Sequence, residues 1–231
     1  TSDPDALIAV GRFEEVVAKW PTSVQALSAR VFLGRFDDLS ATDRDSVIAL
    51  MAEGRYDRAL ERWGKSHDYA MWPRHMLGLE AFIRGDTAEA RRLFAVPPRS
   101  EFHQVNFHLV HYAIVPFLAG LDGDVAALDR TSALFESSRR YVYEQKPWYN
   151  AGYLSGKIDE SGYLAQKHDR FAPADLLLLR GIRAERETRT DDALRDYRAY
   201  LALERWQRSA VVDPVLERFV SWRIDRLARG D

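Results

Sequence analysis

One frame of small, turn and aromatic residues constrains this chain more than any other feature. From Gly78, Gly85 stands seven residues on, Ala90 twelve on and Phe94 sixteen on; from Gly181, Thr188, Ala193 and Tyr197 stand at the same distances. Gly152 opens a weaker copy with Asp159, Leu164 and His168. Turn-centred versions run through Gly54, Tyr56, Ala59 and Trp63, and through Gly11, Phe13, Val16 and Trp20. The spacing has a mechanical meaning. A small residue in mid-helix admits a neighbouring helix, a turn residue reverses the chain, and a second small residue meets the first across the gap. The aromatic fills the space towards the next pair. A helical hairpin of this kind cannot bury both faces alone, so hairpins stack on one another.

The rest of the pattern is helical too. No alternating β-branched run is bounded by hairpin turns, whereas Leu216, Phe219, Val220, Ile224 and Leu227 form an apolar stripe at helical spacing. Pro4, Pro73, Pro147, Pro173 and Pro214 each precede a periodic apolar segment, where a missing N–H loses no hydrogen bond, and are read as helix starts. Asp3 and Asp213 are placed to cap two of them. Pro116, inside an apolar stretch, predicts a kink or break. Together these signals predict 12 or 13 short helices in one all-α unit over residues 1–231, with its longer connections at 39–43 and 96–100. A turn at Gly11 leaves a short first helix. With Thr1 rather than Met at the start, this suggests a chain cut from a longer protein; the alternative is one helix over residues 4–19 that starts naturally at Asp3-Pro4.

The segments Leu77-Gly78 … Gly85-Asp86 … Ala90 … Phe94, Gly54 to Leu60, and Trp148 to Gly152 resemble tetratricopeptide repeats. The resemblance implies a right-handed α–α superhelix of about six hairpins, each of about 34 residues, with a concave groove lined by the first helix of each pair. Residues 43–96 and 173–206 follow the pattern closely. Residues 100–140 depart from it at Pro116 and Leu128, and 147–170 follow it only in the first helix. Residues 214–231 read as a charged helix capping the last hairpin. Groove positions implied by the family fall on Trp72, His75, Leu79 and Phe82, on Lys146, Tyr149, Tyr153 and Lys157, and on Asp175, Leu178, Ile182 and Arg186. The family's Lys/Asn clamp for a C-terminal carboxylate is not reproduced.

The chemistry needed for catalysis is sparse. With no cysteine among 231 residues there is no disulfide, thiolate metal site or thiol nucleophile. Ser66-His67-Asp68 and His168-Asp169 are adjacent residues that point apart on a helix and form no relay. Gly152 to Lys157 lacks the spacing and hydroxyl of a phosphate loop. His108 and His111, three apart, can share a metal but lack a third ligand on their face; His103 lies on another side. A formal net charge of −2 gives no bulk attraction to nucleic acid. Arg195, Arg198, Arg205 and Arg208 are interleaved with Asp191, Asp192, Asp196 and Glu204, which reads as a solvated face. No apolar run approaches 18 residues.

The expectation is therefore a non-catalytic module, without cofactor, metal or nucleic acid, that holds a peptide or protein segment. The candidate contacts are Trp72, His75, Phe82, His108, His111, Lys146, Tyr149, Tyr153, Lys157 and Arg186. Self-association is compatible with this. The alternatives are a metal- or small-ligand-binding domain centred on His103, His108 and His111, and a regulatory domain of a larger enzyme or membrane protein.

Overall fold

The fold is described from a computed structural model that covers residues 3–65, 67–97, 108–137, 145–166 and 169–230. The described residues form sixteen α-helices and no strand, so the chain is cut into more pieces than the 12 or 13 expected. In order these are α1 (Pro4–Ile8), α2 (Phe13–Lys19), α3 (Val24–Phe32), α4 (Ala41–Arg44), α5 (Val47–Ala52), α6 (Tyr56–Trp63), α7 (His67–Ile83) and α8 (Thr87–Phe94). After a π-helical turn (Val110–Ile114) come α9 (Val115–Leu121), α10 (Ala127–Ser137), α11 (Gln145–Leu154), α12 (Glu160–Leu164) and α13 (Ala172–Arg186). The series ends with α14 (Thr190–Ala202), α15 (Arg205–Arg208) and α16 (Pro214–Arg229).

One turn geometry recurs along the chain. Gly11, Gly34, Gly54, Gly85, Gly123, Gly156 and Thr188 all have positive φ. In each case the next residue's N–H returns to a carbonyl five residues back: Arg12 to Leu7, Arg35 to Arg30, Arg55 to Leu50, Asp86 to Ala81, Asp124 to Ala119, Lys157 to Gly152 and Arg189 to Ala184, all at 2.8–2.9 Å. This is the left-handed helix stop, which satisfies carbonyls that the ending helix leaves open. From Gly54 onward these stops stand roughly 31 to 38 residues apart. Each divides a helical hairpin. Alternate helices also touch: α1 on α3, α3 on α5, α5 on α7, and α11 on α13.

Within a hairpin the glycine frame sets the separation. A Cβ on Gly78 would lie 2.7 Å from the Phe94 ring, and one on Gly181 would lie 2.2 Å from the Tyr197 ring. Ala90 and Ala193, twelve residues after each glycine, are fully enclosed. The aromatic thus lies flat where a side chain would otherwise stand, and burying such a ring contributes about 1.5–3 kcal/mol.

Proline behaves as expected at four of five positions. Pro4 and Pro214 open their helices, and Pro173 and Pro147 lie in first turns. Pro73 does not: it sits inside α7. Ala70, Met71 and Trp72 just before it are buried, so packing holds the preceding turns helical despite the missing N–H. At Pro116 the chain does not break, because the helix widens into the π turn immediately before it.

The last helix lies across the array. α16 packs on α14 and also on α7. Val215, Leu216, Phe219 and Val220 are fully buried. Phe219 meets Phe117 and Tyr197 edge-on, Trp222 meets Phe82, and Arg218 pairs with Glu80 at 2.6 Å. Arg223 pairs with Glu185 at 2.5 Å, both side chains being almost wholly buried, and the Tyr197 hydroxyl donates to the same carboxylate at 2.7 Å. The approach to α16 also runs back along the chain: Trp206 lies against Gly11, and Val212 joins Leu27, Val31, Leu39 and Ala49. Arg208, expected on a solvated face, is 7% exposed and pairs with Glu217, and Asp196 is 4% exposed. No helix among the described residues is long and apolar enough to cross a membrane.

Thr188 is the one non-glycine among these turn residues, and a β-branched side chain is strained there. Thr188→Gly is expected to raise the free energy of unfolding by about 0.5–1 kcal/mol. Gly181→Ala is expected to lower it by about 1–3 kcal/mol, because its methyl overlaps the Tyr197 ring. Chemical denaturation of the two variants beside the parent chain checks both signs.

Candidate functional site

The α13–α14 hairpin has a polar side. Leu178, Leu179 and Ile182 turn inward from α13, leaving Arg180 and Arg183 three apart on another face. The register that seats Tyr197 on Gly181 also sets Asp196 against Arg180, one residue earlier on each helix. Asp196 accepts from Arg180 Nε at 3.1 Å and from Arg195 Nε at 3.4 Å. Glu160, at the start of α12, stands 3.6 Å from Arg180 Nη1. Tyr153 of α11 forms another wall, with the Arg183 guanidinium 5.5 Å above its ring. These residues and Arg189 surround a cleft of about 240 Å³.

A second set of carboxylates braces the arginines. Glu187 accepts from Arg183 Nε and from Arg189 Nε, both at 2.9 Å. Asp192 accepts from Arg195 Nη1 at 2.6 Å and from Arg189. Hydrogen bonds from Arg189 and Arg183 pull the Glu187 pKa down, and those from Arg189 and Arg195 do the same for Asp192. Burial pushes the Tyr153 phenol up, so it stays protonated and able to donate. The terminal nitrogens of Arg183 and Nη2 of Arg195 have no carboxylate within hydrogen-bonding distance among the described residues. Four guanidiniums and two carboxylates line the cleft, and Glu187 and Asp192 behind the arginines bring the site close to neutral. A site so balanced exerts little long-range steering.

The expected contact residues fall into separate groups. Trp72, His75 and His108 are buried, at 4%, 1% and 8% exposure, and His111 is half-buried. The π turn brings His111 to His75, with ring centroids 6.2 Å apart, and Tyr112 meets both His111 and His108. His111 Nδ1 is enclosed with no hydrogen-bond partner among the described residues. No three such side chains among the described residues converge to hold a metal, and His103 lies outside them. Phe82 is partly covered by Trp222 and otherwise lines an apolar depression of about 190 Å³ with Phe94 and Leu118. Tyr149 and Tyr153 meet Tyr163 edge-on. Lys157 is exposed beside Gly156, and Arg186 reaches Asp129 at 2.8 Å. The side chain of Lys146 lies outside the described residues. Among the nine whose side chains are described, Tyr153 alone lines the arginine cleft. Arg180, Arg183, Arg189 and Arg195 were not among them. The available signal was the sixteen-residue offset from Arg180 to Asp196, which parallels that from Gly181 to Tyr197.

The histidine cluster makes the fold acid-sensitive. Burial, then the neighbouring His111, Arg74 and His108, holds His75 down to about 3, and burial with His108 holds His111 to about 4. In the unfolded chain both titrate near their ordinary value of about 6.5. The unfolded state therefore binds more protons below that pH. Their full contribution is present above about pH 6.5 and is lost progressively as pH falls towards 4, with a slope approaching about two protons. Urea titrations between pH 7.5 and 4.5 are expected to show this decline, and His75→Phe is expected to flatten it. Compared with known proteins, the chain matches no family model, no curated protein and no solved structure.

Proposed function

We propose that the chain is a non-catalytic protein-interaction module, a tetratricopeptide-like superhelical stack of hairpins that binds an anionic segment of a partner protein. The repeated helix stops, their spacing from Gly54 onward and the contacts between alternate helices support the architectural part. The observation that carries the binding part is the convergence of Arg180, Arg183 and Arg195 with Tyr153 on one cleft. Arginine and tyrosine give strong, low-entropy contacts at protein interfaces. A carboxylate entering the cleft meets donors that salt bridges already hold in place, so little ordering accompanies binding.

This reading moves the binding surface away from the face of α7 that the resemblance implies. There, Glu80 and Phe82 are engaged by Arg218 and Trp222 of α16. The cleft between α11–α12 and α13–α14 is formed by the chain's own hairpins and needs no helix to leave.

The test is fluorescence anisotropy of a labelled glutamate-rich peptide against the full chain, with a lysine-rich peptide as control. The glutamate peptide is expected to bind, and Arg180→Ala with Arg183→Ala to weaken it by about tenfold or more, which is about 1.4 kcal/mol. Binding that survives both substitutions, or equal binding of the lysine peptide, would show the proposal to be wrong.

A further inference from the structure

Resting on that reading, we infer that the anionic group taken by the arginine cleft is a phosphoryl dianion, carried on a phosphorylated serine or threonine of the partner segment. Three features of the cleft point to this chemistry. The first is direction. Arg180 and Arg183 come from α13, and Arg189 and Arg195 come from α14 and its N-terminal end. Guanidiniums thus approach from two sides of the cleft. A carboxylate has two oxygens in one plane and is satisfied by a single guanidinium fork. A phosphate monoester presents three terminal oxygens around a tetrahedral centre and takes forks from several directions.

The second feature is charge. Glu160, Asp196, Glu187 and Asp192 together balance the four guanidiniums, with Glu187 and Asp192 standing outside the lining, so a group carrying about −1.5 to −2 at pH 7 is held by contact with the guanidinium donors that those pairs leave over. A carboxylate, with two oxygens and one charge, engages fewer of those donors.

The third is the donor set. Among the described residues every cationic group lining the cleft is an arginine, the residue whose planar fork matches phosphate geometry. Asp196, 5% exposed, ties Arg180 and Arg195 together from below, so the two guanidiniums keep their separation without a ligand. The side chain of Arg183 has Glu187 as its sole salt-bridge partner among the described residues, so it can be neutralised without stranding a buried charge.

The experiment titrates the full chain by isothermal calorimetry with three short peptides of one sequence, bearing phosphoserine, glutamate or serine at the central position. At pH 7.5 the phosphoserine peptide is expected to bind at least tenfold more tightly than the glutamate peptide, and the serine peptide not to bind. The preference is expected to shrink as pH falls through about 6, where the phosphoryl group gains a proton. Arg183→Gln is expected to remove most of it, and Tyr153→Phe, which keeps the ring, to weaken it several-fold; circular dichroism melts establish that both variants fold. Equal affinity for the glutamate and phosphoserine peptides, lost together in Arg183→Gln, would overturn the phosphoryl inference and leave the anionic-segment reading standing. No binding of either charged peptide would overturn both. Phosphoserine binding that is unchanged in both variants would place the group elsewhere and overturn the inference.

Discussion

The contact between an aromatic ring and a missing side chain governs this structure. Tyr197 lies over Gly181 and Phe94 lies over Gly78, each closer than any Cβ would permit. A ring seated on helix backbone fixes how far one helix slides along its neighbour, because moving by one turn would drive the ring into a larger residue. That register then sets everything else on the hairpin. It encloses Ala193 and Ala90, brings Asp196 to Arg180, and carries the Tyr197 hydroxyl to Glu185. The arginine cleft is thus a consequence of packing on the opposite side of the same two helices. A polar site supported by a close-packed core keeps its geometry, since cores resist small displacements.

The second organising element is α16, whose buried face joins regions far apart in sequence. Arg223 and Glu185 form a nearly solvent-free ion pair, with Trp222 and Phe117 beside the guanidinium. Burying two charges offsets much of their attraction, so the pair adds little net stability. Either partner left alone would be strongly destabilising, by about 3–5 kcal/mol. The pair therefore acts against alternative placements of the helix. Together with Arg218–Glu80 and Trp222–Phe82 it orients α16 on α7 as well as on α14.

Much of the local architecture was legible in the residues. Gly11, Gly34, Gly54, Gly85 and Gly123 mark turns because only glycine enters the left-handed region without strain. Thr188 was legible through its place in the frame, although its side chain argues against that conformation. Pro73 misled because its local preference for a helix start was overruled by burial of the preceding turn. Asp196 and Arg208 misled for a related reason. Charged residues at alternating positions read as a solvated face, and only a neighbouring element can turn that face inward. The arginine cleft was illegible in the same way, since its residues come from four helices and are individually unremarkable.

The sequence by itself determined that the chain is all-helical and where several of its left-handed stops fall. These depend on backbone conformation and on contacts within about twenty residues, both encoded locally. Only the tertiary structure decided that α16 returns to α7, that two buried histidines and half-buried His111 cluster, and that Arg180, Arg183, Arg189 and Arg195 line one cleft. Those outcomes depend on where separate hairpins come to rest, a balance of packing and desolvation between surfaces that no short window of residues contains.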